Sequence, residues 1–477
     1  MTNKAVVEKY LADKFSKIKE VNEKVWNYAE IGLEEMKSVS LYERLLTEEG
    51  FEVETGIAGM PTAFVATYGS GSPVIGITAE YDALPNLSQT ASVAEKSPLE
   101  VGGHGHGCGH NSLGAASFGG ALIAKEYLKE HQVSGTIKLF GTPSEEKDNG
   151  KTFMAREGYF DELDAAYTWH PMDRNEVWSG SSLANVSVIF NFKGTTAHAS
   201  ASPHLGRSAL DSAEIMNVGA NYLREHIIPE ARIHYAYLDV GGTAPNVVQG
   251  SAKVHYLIRA PKVKQALDIF ERMKQVAEGA ALICGTESSY DVLTGLSDFI
   301  PNYKLSTVLQ ESMEEIGAPA FDEVDFKQSK QFFETLTEDE RQQINKRVQK
   351  DYSKEEAAEI LENPLDTKIH PLNYPAPTMP GSTDVGDLSY VTPTAQFTMA
   401  TTALGTSPHT WQMVAQGNTN QALKGVRAAA GALGLASIKL FEDPDVTDKA
   451  REELHIETGG EYICPIPEDV YPNIQTK

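Results

Sequence analysis

Through the first third of the chain, short apolar runs of strand length alternate with segments whose apolar residues recur at helical spacing. Residues 73–78 (PVIGIT), 135–141 (GTIKLFG) and 164–169 (DAAYTW) are β-rich runs, whereas 111–131 places Leu113, Phe118, Leu122 and Tyr127 on one helical stripe. That order predicts an α/β sheet with helices packed on it, in which ligands gather beyond the carboxyl ends of the strands. From about Ala184 the texture changes. Residues 186–194 (VSVIFNFKG) alternate as a half-buried strand does, a helix follows at about 208–225, and ARIHYAYLDVGG and SAKVHYLIRA read as two more alternating strands. This α+β unit ends near Asp298 and reads as an insertion, so the expected division is 1–183 with 298–477 against 184–297. Thr337 with Glu340 and Ser353 with Glu356 are capping-box signatures opening two helices within 321–373, a second insertion over or beside the main sheet that reads as a solvated helical hairpin, with substrate gating as the alternative. A long helix over 420–441 closes the pattern.

Composition narrows the classes. A chain of 477 residues is long enough for two or three domains. No uncharged apolar run approaches the ~20 residues of a membrane span. The opening MTNKAVVEKYLADKFSKIKE reads as an amphipathic helix and not as a cleavable signal. Against 66 acidic residues stand 41 basic ones, a net charge of −25 that argues against nucleic acid or an anionic membrane as partner. Cys108, Cys284 and Cys464 are too few and too scattered for a disulfide framework, which places the protein in a reducing compartment, the cytoplasm.

The stretch HGHGCGH, residues 104–110, concentrates three histidines and a cysteine between glycines. Cys108 and His110 would diverge by about half a turn on a helix, so they are expected on a loop that glycine allows to wrap an ion. The run 135–141 leads into GTPSEEK, whose adjacent Glu145 and Glu146 would point to opposite sides of an extended chain, one toward a metal and the other toward an activated water. The next run ends in TWHP with His170, and GTSPHTWQ supplies His409. Any one of these histidines is more often packed or superficial than a ligand. Four sites, three of them at the ends of successive strands, are poorly explained by coincidence. Thiolate, imidazole and carboxylate together (Cys108, His110, Glu146, His170, His409) suit Zn²⁺ without excluding Mn²⁺. Five donors are too many for one catalytic ion with an open position, and two ions sharing a bridging ligand and a water fit better.

AEYDALP (79–85), HGCGHN (106–111), PSEE (143–146), WHP (169–171), GTTAHASASPHLGRSALDSAE (194–214) and GGTAPNVV (241–248) resemble the dinuclear metallopeptidases and amidohydrolases that include aminoacylases, glutamate carboxypeptidases and auxin-conjugate hydrolases; GSTDVGDLSYVTP (381–393) and SPHTWQMVAQG (407–417) extend the likeness to the whole chain. The resemblance implies a zinc-peptidase-like catalytic domain with a mixed central sheet, plus an inserted ferredoxin-like dimerisation or lid domain. It implies that Cys108 bridges two Zn²⁺ or Mn²⁺ ions, that His110 and His170 complete one site and Glu146 with His409 the other, and that Asp82 orients a ligand. Glu145 would be the general base, His198 the oxyanion stabiliser, often supplied across a dimer, and Asn246 with Arg259 the holders of a substrate carboxylate. Two departures bear on pocket shape and metal preference: Glu80 stands where the family has aspartate, and KDNGK follows the glutamates where many relatives have a glycine run. His104 receives no role. The expected activity is hydrolysis of an N-acyl amino acid, with an aroyl-glutamate such as p-aminobenzoyl-glutamate leading. Auxin conjugates, general N-acyl amino acids and β-alanyl dipeptides are the alternatives within the class. The expected assembly is a homodimer, or a heterodimer with a related chain. A non-catalytic partner in a heteromeric hydrolase is the alternative from another class.

Overall fold

The computed structural model describes residues 2–474. Among them, eleven strands form two sheets: β1 (Glu52–Thr55), β2 (Phe64–Ser70), β3 (Val74–Ala79), β4 (Gly135–Gly141), β5 (Ala165–Met172), β6 (Glu176–Trp178), β7 (Ala184–Lys193), β8 (Arg232–Asp239), β9 (Ser251–Ala260), β10 (Glu287–Leu296) and β11 (Thr394–Ala400). The larger sheet runs β1-β2-β4-β3-β5-β11-β6. Its centre, β4-β3-β5-β11, is parallel, and β1, β2 and β6 join antiparallel at the flanks. The fold is therefore α/β, as the strand and helix patterning predicts, with the mixed central sheet that the resemblance implies.

Core lies on both faces of this sheet. One face carries the helices Asn3–Tyr28, His110–His131 and Asn420–Glu442, with Ile77, Phe118, Leu122, Leu139 and Leu433 buried between the layers. The small-residue run of the central helix has a packing reason: a Cβ at Gly120 would lie 2.6 Å from Leu433 Cβ, so glycine lets two helices approach closely. The other face holds Met60, Phe140, Phe153, Phe160 and Leu388 beneath the short helices Gly150–Arg156 and Val385–Val391. Strands covered on both sides carry near-continuous apolar runs, which is why β3 and β4 are visible in the sequence.

The smaller sheet, β10-β7-β9-β8, is wholly antiparallel and packs on the helices Ala209–Leu223 and Val263–Cys284 around its own core of Val188, Phe190, Val254, Tyr256, Met216 and Phe270. One face is packed and the other open, and this gives the alternation seen in β7 and β9. Within 321–373 the helices Glu323–Glu334, Glu338–Asp351 and Lys354–Glu362 form, the last two with the reciprocal Thr337–Glu340 and Ser353–Glu356 capping boxes. No helix among the described residues is long and apolar enough to cross a membrane.

Candidate active site

Several of the site residues follow directly where a parallel strand ends. β3 stops at Ala79 and hands the chain to Glu80 and Asp82; β4 stops at Gly141 and leads to Glu145 and Glu146; β11 stops at Ala400 ahead of the loop with His409. His170 lies inside β5, which continues to Met172 and so outruns the strand expected from its apolar run. Cys108 lies in the glycine turn, but His110 is already the first residue of the helix His110–His131, correcting the expectation of a loop for both. The switch happens at Gly109, with φ of 75°, where a Cβ would stand 2.7 Å from Met413 Cε and Pro171 Cγ. Glu145 and Glu146 occupy a turn and not an extended segment, entered through Ser144 at φ of 56°.

The fold brings all five sequence-derived donors together in two groups that share one atom. Donor atoms of Cys108, His110 and His170 lie within 4.8 Å of one another, as do those of Cys108, Glu146 and His409. Cys108 Sγ is 3.4 Å from His170 Nε2, and His409 Nε2 is 3.1 Å from Glu146 Oε1. Such spacings suit donors on adjacent corners of one coordination shell, ~3–3.6 Å for bonds of ~2.0–2.3 Å. A third group joins Glu80, His110 and Glu145. Asp82 accepts from His110 Nδ1 at 2.7 Å, leaving Nε2 for a ligand role, and its other oxygen accepts from Glu146 N at 3.0 Å. His409, itself in the left-handed region at φ of 62°, donates its backbone N–H to Gly107 O at 2.7 Å and so locks its loop to the cysteine turn.

The histidines of the opening motif divide by burial. His106 is buried, bonds Val25 O at 2.9 Å through Nε2, and is pushed down to about 3 by burial, a neutral structural group. His104 is exposed. Only His110 reaches the cluster.

Electrostatics fit cations. Burial pushes the Cys108 thiol well up, so a thiolate there needs a positive neighbour. Burial would push His110 down, but the Asp82 and Glu80 carboxylates outweigh it and hold it well above the usual imidazole range. Burial opposes ionisation of Glu146, yet His409 and His110 keep it below the usual carboxylate range. Glu145 goes the other way: burial, then the charges of Glu80, Asp384 and Glu146, lift it well above that range. Two buried donors, His110 Nε2 and Glu146 Oε1, lack a hydrogen-bond partner although charged atoms stand near them. Orphaned donors, a buried thiol and clustered carboxylates are what a pair of divalent ions would satisfy.

Glu80, Cys108, Glu145, Glu146, His170 and His409 line a cavity of about 270 Å³, completed by Met172, Trp178, Met379, Val385 and Gln396. Its lining contains neither lysine nor arginine. His198, Asn246 and Arg259 do not line it; they belong to the 184–297 segment. Arg259 lies on β9, with its Nε buried and unpaired. Sequence reasoning missed the residues behind the cluster. Lys151, fully buried, donates to Asp384 at 2.7 Å and meets Glu80 Oε1 at 2.6 Å. Lys151 and Asp384 stood in motifs already marked, the KDNGK departure and GSTDVGDLSYVTP.

A thiol, imidazoles and carboxylates converging beyond the strand ends, beside a further carboxyl at Glu145, define a metal-dependent amidohydrolase. Residues 76–408 match the model for Peptidase family M20/M25/M40, and the chain belongs to that family. It is 39% identical over 458 residues to one of the subunits of p-aminobenzoyl-glutamate hydrolase of Escherichia coli (strain K12), covering 95% of each chain. It is 25% identical over 461 residues to Xaa-Arg dipeptidase of Mus musculus, covering 92% of this chain and 89% of that one. In fold it is similar to the crystal structure of an aminobenzoyl-glutamate utilization protein from Klebsiella pneumoniae, with a TM-score of 0.59 at 16% identity, covering 90% of this chain and 98% of that one.

Proposed function

We propose that this chain hydrolyses the amide bond of an N-acyl amino acid in the cytoplasm, with an aroyl-glutamate of the p-aminobenzoyl-glutamate type as leading substrate. The observation that carries the reading is the pair of donor groups meeting at Cys108 with Glu145 beside them. The 39% relative, named for that substrate, supplies the substrate class. Cys108, His110 and His170 would hold one ion and Cys108, Glu146 and His409 the other, as Zn²⁺ or Mn²⁺. When bound, the ions supply Lewis acidity toward the amide carbonyl and toward water. Glu145 takes a proton from water and passes it to the leaving amine nitrogen. The apolar side chains Met172, Trp178, Met379 and Val385 suit an aromatic acyl group.

A free α-carboxylate needs a cation that the cavity of one chain lacks. Arg259 suits that role, because among the described residues its guanidinium has no hydrogen-bond or ion-pair partner and its Nε is buried. Asn246 is the second carboxylate holder. His198 Nδ1 accepts from Ser200 N at 3.3 Å and Ala201 N at 3.1 Å, so a neutral ring carries its proton on Nε2, ready to donate to an oxyanion. Delivery of these groups from a second protomer is consistent with the open edge of β8, where Tyr235, Tyr237 and Leu238 are exposed, and with Ile215, Val218 and Tyr222 exposed on the helix Ala209–Leu223. That protomer is a second copy or a related chain.

The test is glutamate release from p-aminobenzoyl-glutamate by the purified chain with Mn²⁺ or Zn²⁺ and a chelator control. Chelator-sensitive release supports a self-sufficient hydrolase. A protein that binds two ions yet releases nothing moves the reading to another acyl amino acid or to dependence on a partner chain, an outcome consistent with the relative's being one subunit of its hydrolase.

A further inference from the structure

One buried charge cluster is left over once the two donor groups are assigned. Lys151, Glu80 and Asp384 are all buried behind the cavity. The Lys151 ammonium holds Glu80 Oε1 at 2.6 Å and Asp384 Oδ1 at 2.7 Å, and Asp384 Oδ2 also accepts from Lys151 N at 2.9 Å. A buried lysine braced from its own backbone by one carboxylate fixes the other carboxylate in a single orientation. The free oxygen of that second carboxylate, Glu80 Oε2, is thereby held 3.2 Å from His110 Nε2.

A structural ion pair would account for Lys151, but it leaves the Glu80–His110 approach unexplained. His110 already donates through Nδ1 to Asp82, and its Nε2 has no aligned hydrogen bond with Glu80 or any other group. His110 Nε2 and Glu80 Oε2 stand 3.2 Å apart outside hydrogen-bond alignment, and a cation lying against both atoms accounts for that approach where a directed N–H···O bond does not. Their separation matches two donors of one coordination shell. The donor atoms of Glu80 and His110 also cluster within 4.8 Å with one from Glu145, and that group already has a role as proton carrier.

We propose that Glu80 is an additional carboxylate ligand of the ion held by Cys108, His110 and His170, with Lys151 and Asp384 as the positioning pair that aims it. This rests on the two-ion reading above. The ion on the His110 side then has four protein donors and its neighbour three, so the His110-side ion binds more tightly and the open position belongs to the Glu146 and His409 side.

Crystals of the wild-type protein loaded with Mn²⁺ or Zn²⁺ test this by anomalous diffraction, without any variant that must fold. An anomalous peak within ~2.0–2.3 Å of a Glu80 carboxylate oxygen is the expected result. Two peaks at the Cys108 groups with Glu80 more than about 3 Å from both overturn this inference and leave the two-ion reading standing. No peak at either group overturns both. In solution, Glu80→Gln keeps the volume and a hydrogen bond to Lys151, and should weaken the tighter ion about 100-fold or more in a chelator competition. Its Co²⁺ derivative should show an altered visible spectrum for that ion. Wild-type affinities and an unchanged Co²⁺ spectrum in Glu80→Gln would reduce the triad to a structural ion pair.

Discussion

Glu145→Gln isolates the proton-transfer step. The replacement is isosteric, so the cavity of about 270 Å³ keeps its shape, and none of the five candidate metal donors is touched. What disappears is a group that can take a proton from water and give it to the amine. A positioned general acid–base contributes ~10²–10⁴ in rate, equivalent to ~2.7–5.4 kcal/mol of barrier. The expected result is that fall in kcat with metal content still at two ions per chain. The surroundings add a second readout. Burial and the charges of Glu80, Asp384 and Glu146 raise Glu145 well above the ordinary carboxylate range in the metal-free fold. Between its unfolded and folded pKa values the folded state keeps a proton that the unfolded chain has released. Its contribution to stability is therefore full at low pH and is lost as pH rises through that window. Glutamine has no proton to lose, so metal-free Glu145→Gln should lose less stability than wild type as pH rises, measured by urea unfolding. Retained turnover would refute the base assignment, and parallel pH profiles would refute the electrostatic account.

Cys108 belongs to both donor groups, so Cys108→Ser should release both ions on dialysis whereas His170→Ala should release one, as counted by elemental analysis; equal losses would contradict a bridging thiolate. Arg259→Ala should raise KM about 10–100-fold with a smaller change in kcat for a substrate bearing a free α-carboxylate, because a charge-assisted hydrogen bond contributes ~1.5–3 kcal/mol. An unchanged KM would remove Arg259 from the site. Asp387 accepts from Thr152, Ser297 and Tyr462, yet burial pushes it up to about 6. Its folded pKa is raised, so its contribution is present below about pH 4 and lost as pH climbs to about 6, by at most ~3 kcal/mol. The stability difference between wild type and Asp387→Asn should change across that interval and stay flat above it; a constant difference would show that Asp387 ionises normally.

How far the site could be read from the chain depends on how its parts are spaced. Cys108 and His110 are close neighbours, as are Glu145 and Glu146, and His170 ends an apolar run, so each announced itself locally. The brace did not. Lys151 and Asp384 are far apart in sequence, and neither residue type marks a buried ion pair until the fold closes it. Nor could spacing tell His106 from His110: the two differ in which side of the Gly109 turn they occupy, and that is set by Met413 and Pro171 packing against the glycine. Strand β11 was missed for a related reason. Thr394, Gln396 and Thr398 interrupt its apolar signal although all seven of its residues are buried, with Gln396 facing the cavity. The inserted α+β segment was legible because one face of its sheet is open and alternation survives.

The helical insertion at 321–373 read as a solvated hairpin, and its outer faces are solvated, but its inner face has a structural task. Leu336, Ile344 and Val348 bury against Leu404, and Phe332 packs with Ala403 and Ala415, all on or beside the loop that carries His409. Contact is close enough that a Cβ at Gly405 would overlap Ile344 Cδ1. Polar ties follow the same line. Asp173 Oδ2 accepts from Gly405 N at 2.7 Å and from Arg347 of the insertion, which joins the end of β5, the His409 loop and the helix Glu338–Asp351 at one carboxylate. His170 and His409 lie on these two backbone segments, one in each donor group. None of the insertion's residues lines the cavity itself. Packing without lining is the relation of a buttress and not of a lid: the insertion fixes the spacing between two histidines that belong to different donor groups sharing Cys108, and a half-exposed His409 at a left-handed φ keeps its place because both the insertion and the Gly107 carbonyl hold its loop.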